Sequence, residues 1–340
     1  AERFTEKGAY DAQFGEGGIN DGKFVGPQGI AVGKEGKIWV ADTGNDRVQG
    51  FNSSLEFMLH FGGEGVGMFD APKDVATDSE GNVWVLDAGH NRVQKFNDEG
   101  EFQLQFGYLG DGNGQLDEPS GIDIDPEGDV WVVDSGNNRV QEFEADGDYI
   151  RKWDVPEGEF GASWSGIAVD SEGDVWLAGL MIDSFPELEG FSVAKVTEEG
   201  ELILKVGEFG TANGEFEGPE SIAVNSKDNV VIADTGNHRV QELDGEGEFV
   251  RKFSDTGSGN GQLEAPEGIA VDSENRVWVA DTGNHRAERF TEKGAYDAQF
   301  GEGGINDGKF VGPQGIAVGK EGKVWVADTG NDRVQKWECE

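Results

Sequence analysis

A four-residue phrase returns seven times along this chain: Pro27-Gln28-Gly29-Ile30, Pro72-Lys73-Asp74-Val75, Pro119-Ser120-Gly121-Ile122, Trp164-Ser165-Gly166-Ile167, Pro219-Glu220-Ser221-Ile222, Pro266-Glu267-Gly268-Ile269 and Pro313-Gln314-Gly315-Ile316. Successive copies start 45, 47, 45, 55, 47 and 47 residues apart. A unit of that length cannot bury its own apolar face, so the copies must stack on one another. Within each copy the phrase runs into a short β-branched segment and then a Gly, Asn or Asp turn. A second apolar segment follows, such as Lys37-Ile38-Trp39-Val40-Ala41-Asp42, then in six of the seven copies an Asp-x-Gly-x-x-Arg turn, and two further short segments. Four β-rich segments per repeat at this period predict one propeller blade each.

Composition agrees with that reading. The 55 glycines supply tight turns, and nine Trp with 21 Phe supply the rings that fill the space between sheets. Trp39, Trp84, Trp131, Trp176, Trp278 and Trp325 occupy the second segment in six of seven copies, with Val231 in the other. The net charge of −41, from 68 acidic against 27 basic residues, argues against nucleic acid or anionic lipid as a partner. It reads either as a solubility coat or as adaptation to high salt, where screening removes the self-repulsion. The lone Cys339 permits no disulfide framework within one chain. No apolar run approaches the length of a membrane span. Because the chain begins at Ala1 rather than Met, it reads as an excerpt from which a signal peptide could have been removed; the expectation is a soluble monomer comprising one domain over 1–340, its compartment left open.

Asn-His-Arg-Val at 237–240, Asn-His-Arg at 284–286, His90-Asn91-Arg92-Val93 and Asn45-Asp46-Arg47-Val48 recur in register, as does Ala-Asp-Thr-Gly-Asn at 233–237, 280–284 and 327–331. In these motifs the chain resembles the NHL-repeat family over essentially its whole length. The resemblance implies a propeller, usually of six blades, in proteins that mostly bind other molecules. Residues 1–49 and 287–335 agree at 48 of 49 positions, differing only at Ile38 and Val324, as after a recent duplication or deliberate engineering. Inner, second and outermost segments each occur seven times, and the third occurs eight times, at Ala1–Phe4 and Arg333–Trp337 among others. The expected fold is therefore an all-β propeller of four-stranded antiparallel blades, seven in number, closed by Ala9–Gly15 pairing with the C-terminal strands. The alternative is a six-bladed ring with an extra duplicated blade.

Recurrence also weighs the motifs. Asp42/Arg47, Asp87/Arg92, Asp134/Arg139, Asp234/Arg239, Asp281/Arg286 and Asp328/Arg333 repeat around the ring, which suits charge-assisted bonds that fix a turn, not catalysis. His90, His238 and His285 sit in the same turn of different blades and read as structural. Asp123-x-Asp125-x-Glu127-Gly128-Asp129 resembles a calcium loop but falls where every copy turns its first hairpin. No catalytic residue, metal site or cofactor is expected.

The binding expectation falls on the channel mouth, where connecting loops gather. Gln28, Lys73, Ser120, Ser165, Glu220, Glu267 and Gln314 should ring it. The fourth copy lacks the Asp-x-Gly-x-x-Arg turn and inserts about eight residues relative to the ~47-residue period; its Met181, Phe185 and Phe191 are candidates for a partner contact or lid. The leading function is a non-enzymatic propeller that recognises a protein, peptide or glycan at the mouth. One alternative is an NHL-like lyase or lactonase with a divalent cation in the channel, and another is a recently duplicated or engineered repeat protein with no selected ligand.

Overall fold

Turns of a few residues leave successive segments no choice but to fold back beside one another. In the computed structural model of the chain they do so as six four-stranded antiparallel blades. Blade 1 is Ile30–Val32, Ile38–Asp42, Arg47–Phe51 and Phe57–Gly62. Blade 2 is Pro72–Thr77, Val83–Asp87, Arg92–Phe96 and Phe102–Phe106, and blade 3 is Gly121–Ile124, Val130–Asp134, Arg139–Phe143 and Tyr149–Asp154. Blade 4 is Ala162–Val169, Val175–Met181, Phe191–Val196 and Leu202–Glu208. Blade 5 is Ser221–Val224, Val230–Asp234, Arg239–Leu243 and Phe249–Lys252. Blade 6 is Pro266–Val271, Val277–Asp281, Arg286–Phe290 and Tyr296–Phe300. The structure describes the chain apart from residues 1, 6–8, 15–16, 19, 54–56, 63–68, 98, 100, 155–161, 182–190, 198–200, 307, 319–322, 332 and 339–340. No helix among the described residues is long and apolar enough to cross a membrane.

The expected count of seven four-stranded blades is corrected to six. The remaining sector of the ring is a five-stranded sheet drawn from both chain ends, in the order Glu2–Thr5, Ala9–Phe14, Arg333–Glu338, Lys323–Asp328, Ile316–Val318. The physical reason is the surplus third-strand copy. Arg333–Glu338 takes the seat beside Ala9–Phe14, pairing Ala12 with Lys336 and Phe14 with Val334. Glu2–Thr5 then cannot sit there and adds as an extra strand, antiparallel to Ala9–Phe14 and parallel to Arg333–Glu338. A strand left outside would have exposed unsatisfied backbone groups.

Side chains tie each sheet to the next. Thr43 Oγ1 donates to the Pro72 carbonyl at 2.7 Å, Thr235 to Pro266 and Thr282 to Pro313. Thr329 makes the same bond to Pro27 at 2.9 Å, joining the closing sheet to blade 1. The second-strand tryptophans fill the gaps between sheets: Trp39 of blade 1 packs with Val83, Val85 and Phe96 of blade 2, and Trp131 of blade 3 with Trp164 and Leu177 of blade 4. At about 25 cal/mol per Å² of buried apolar area, each such ring contributes several kcal/mol.

The recurring Asp and Arg form a network in blades 1, 2, 3, 5 and 6. In blade 3, Asp134 accepts from Arg139 Nε (2.6 Å), Gln141 Nε2 (3.0 Å), Asn137 Nδ2 and the Asp117 N–H. Arg139 also donates to the carbonyls of Asp111, Gly112 and Gln115. The pair thus pins the incoming connection to the second and third strands, which is structural work.

The residue before each phrase proline adopts positive φ: Gly26 (53°), Gly218 (55°) and Gly312 (54°), but also Ala71 (46°), Glu118 (45°) and Ala265 (43°). A side chain there is strained. Glu118 is exposed, and its N–H is held by Asn91 Oδ1 at 2.8 Å whatever its side chain. Glu118→Gly is expected to raise stability by about 0.5–1 kcal/mol, the strain relieved less the added unfolded-chain entropy. Urea unfolding reads it, and a loss of stability would show that the strain is absent.

Candidate functional site at the channel mouth

The phrase places its second residue where the chain enters the inner strand. All seven such residues, Gln28, Lys73, Ser120, Ser165, Glu220, Glu267 and Gln314, lie on the wall of one cavity of about 390 Å³. The third residue forms the wall just below and is mostly glycine because neighbouring inner strands approach closely. A Cβ on Gly29 would lie 2.9 Å from Asp74 Cα and the Lys73 carbonyl of the next blade. Small residues there bring the seven second positions into one rim.

Charge is distributed unevenly on that rim. Glu220 and Glu267 are neighbours from blades 5 and 6, and burial pushes both carboxyls up. Glu220 adds to the rise at Glu267, while a hydrogen bond with Gln314 opposes it. Lys73 is the single cation among the described residues of the cavity wall.

Two further carboxylates were not anticipated. Asp74 stands in the third phrase position where other copies have Gly or Ser, and Asp123 stands two residues further along, where other copies have Ala. Asp74 accepts the Val75 and Ile122 N–H groups, and Asp123 accepts those of Ile124 and Val169. Each bridges to the next blade's inner strand. Burial pushes both up to about 6, with Asp74 and Asp125 adding to the rise at Asp123. The signal was available: aligning the repeats column by column shows acidic side chains in positions that otherwise hold Gly, Ser or Ala.

Met181 ends the second strand of blade 4 and Phe191 begins the third; residues 182–190 between them lie outside the described residues. Phe185 lies outside the described residues, as do the side-chain surroundings of Met181 and Phe191.

The histidines serve turns. His90 Nδ1 lies 3.1 Å from Asp87 Oδ2, while His238 Nδ1 accepts the Ala265 N–H and His285 Nδ1 that of Gly312. The side chain of His60 lies outside the described residues. Oxygens of Asp125, Asp129 and Glu142 lie within 4.8 Å of one another, a set that could hold a metal ion. Asp125 already accepts the Gly128 and Asp129 N–H groups and Trp131 Nε1, as a hairpin turn requires, and Glu142 pairs with Arg151 at 2.7 Å.

The NHL repeat model matches six stretches, 24–51, 69–96, 116–143, 216–243, 263–286 and 310–337, and the strands of blade 4 fall between the third and fourth. Protein brain tumor of Drosophila melanogaster is 42% identical over 57 residues, which is 17% of this chain and 6% of that protein. The B-box type zinc finger protein ncl-1 of Caenorhabditis elegans is 44% identical over 52 residues, 15% and 6% respectively. The match thus spans a small fraction of those relatives' length. Among solved structures, a streptogramin B lyase superposes with a TM-score of 0.73 at 18% identity, covering 95% of each chain. A catalytically inactive virginiamycin B lyase from Staphylococcus aureus, solved with quinupristin, gives 0.72 at 20%, covering 95% of this chain and 97% of that one. Kuenenia stuttgartiensis hydrazine synthase gives 0.72 at 12%, covering 95% and 98%. At such identities the likeness shows the fold, which enzymes share.

Proposed function

Because the chain belongs to the NHL-repeat family, we propose that it is a non-enzymatic binding module that seats a cationic side chain of a protein or peptide in the channel mouth. One observation carries this reading: Glu220 and Glu267 stand side by side on a concave wall, with Asp74 just below and one lysine among the lining residues. Like charges held together in a partly dehydrated site repel, and a lysine or arginine side chain relieves that repulsion on entry. A cavity of about 390 Å³ takes one or two side chains, not a folded surface. The bonds of Asp74 and Asp123 to inner-strand N–H groups hold the channel walls in place, so little ordering accompanies binding.

Isothermal titration with a short lysine-containing peptide tests this. Glu220→Gln with Glu267→Gln is expected to weaken binding at least tenfold, whereas Lys73→Gln strengthens it. Affinity is expected to fall as pH drops from 7.5 to 5, because Asp74 on the cavity wall takes up a proton near pH 6 and burial favours the neutral form of both glutamates. Equal affinity of the wild type and the double variant, or a preference for acetylated lysine, would overturn the reading.

A further inference from the structure

The junction between blades 5 and 6 departs from its sisters. In blades 2, 4 and 6 the residue after the outermost strand's terminal aromatic or aliphatic position is glycine at positive φ: Gly107 (84°), Gly207 (84°) and Gly301 (72°). A Cβ on Gly107 would lie 2.7 Å from Leu116, so that position is closed to side chains. Blade 5 has Ser254 there, outside the positive-φ region. The chain beyond it is rebuilt: Asp255–Thr256 pairs with Gln262–Leu263 as a two-residue ladder, where the sister junctions have one isolated bridge such as Leu109 to Leu116. A cavity of about 310 Å³ has opened, lined by Thr211, Asn237, His238, Arg239, Lys252, Ser254 and neighbours.

This cavity has more donors than acceptors. Ser254 is 6% exposed and its Oγ has no hydrogen-bond partner. Arg239 spends four of its five N–H groups, on Asp234 and on the carbonyls of Thr211, Ala212 and Glu215. In blades 2 and 6 the matching arginine gives an Nη1 hydrogen to a glutamine, Arg92 to Gln105 and Arg286 to Gln299. Blade 5 has Lys252 in that place, a second donor where an acceptor stood. His238 accepts at Nδ1, which leaves Nε2 as the protonated nitrogen of another wall residue. Asp255 is the one carboxylate on the wall; its side chain is 75% exposed and it pairs with Lys252. Such an exposed pair is worth about 0–1 kcal/mol and yields readily to a competing oxyanion.

We propose that this cavity is a binding site for a small oxyanion of the phosphate or sulfate class, held by Lys252, Arg239 and the Ser254 hydroxyl. It lies apart from the channel mouth and does not depend on the reading given above.

Thermal unfolding of the full chain in sodium phosphate tests it, against sodium chloride of equal ionic strength to remove general screening of the −41 charge. The melting temperature is expected to rise in phosphate beyond the chloride control. The excess should vanish in Lys252→Gln, which restores the sister glutamine, and in Ser254→Ala. Phosphorus NMR line broadening gives a second readout on the folded protein, should either variant shift the baseline. No excess in the wild type, or an excess untouched in both variants, would overturn the proposal.

Discussion

Asp134→Ala lowers stability by about 3–5 kcal/mol, the expected cost of leaving a buried guanidinium without its counter-charge. Asp134 is fully buried and Arg139 is 2% exposed. Removing the carboxylate leaves Arg139 Nε and the Asp117 N–H without their acceptor and takes one of two bonds from Gln141 Nε2 and from Asn137 Nδ2. Water cannot replace it without opening the seam between the second and third strands. Asp146→Ala, in an exposed turn where Asp146 accepts only the Asp148 N–H, serves as control and should stay within about 0.5 kcal/mol. Urea unfolding checks both. A loss below 1 kcal/mol at Asp134 would mean that the network orients the turn without holding the blade.

The second large effect has the opposite sign. In blades 1, 3 and 5 a glutamine follows the arginine by two residues. Its Nε2 donates to the aspartate and to a backbone carbonyl, as Gln141 does to Asp134 and Gln115, while its Oε1 accepts a glycine N–H. Blade 6 has Glu288 in that socket, fully buried and next to Asp281. Glu288 still accepts the Gly261 N–H and pairs with Arg286 at 2.9 Å, but as a carboxylate it has no hydrogen to donate. Burial, with Asp281 adding to it, pushes its carboxyl up to about 7 despite the opposing pull of Arg286.

A carboxyl raised in the folded state contributes stability that is full below its unfolded value and is lost as pH rises through the folded one. For Glu288 the window runs from about 4.5 to above 7. Over roughly 2.5 pH units at 1.36 kcal/mol each, about 3 kcal/mol is lost by pH 8. Glu288→Gln is therefore expected to stabilise by about that amount at pH 8, with the gain shrinking toward pH 5. The variant leaves the other carboxylates in place, so the difference between the two pH profiles isolates this one group. Parallel profiles would contradict the assignment.

The propeller was legible because its signals repeat. Seven phrases in register and the tryptophans of the second segment all speak for one architecture, and the rim residues follow from their position in the phrase. What escaped were departures from the repeat. Asp74, Asp123 and Ser254 each differ from their column by one small side chain, which carries no weight until the structure shows a neighbour's backbone close by. The Glu2–Thr5 strand escaped for a different reason. The repeat supplies one third segment more than the sheets have seats for; Arg333–Glu338 pairs between Lys323–Asp328 and Ala9–Phe14, and Glu2–Thr5 adds at the edge. That arrangement reduced the expected seven regular blades to six and a composite sheet.

The mouth reading rests on where a cation goes, so the most direct measurement is a crystal structure of the chain with a lysine-containing peptide bound at neutral pH. The ammonium is expected between the Glu220 and Glu267 carboxylates, at hydrogen-bonding distance of roughly 3 Å from at least one. A peptide seated on the outer strands, with the channel mouth unchanged, would contradict it.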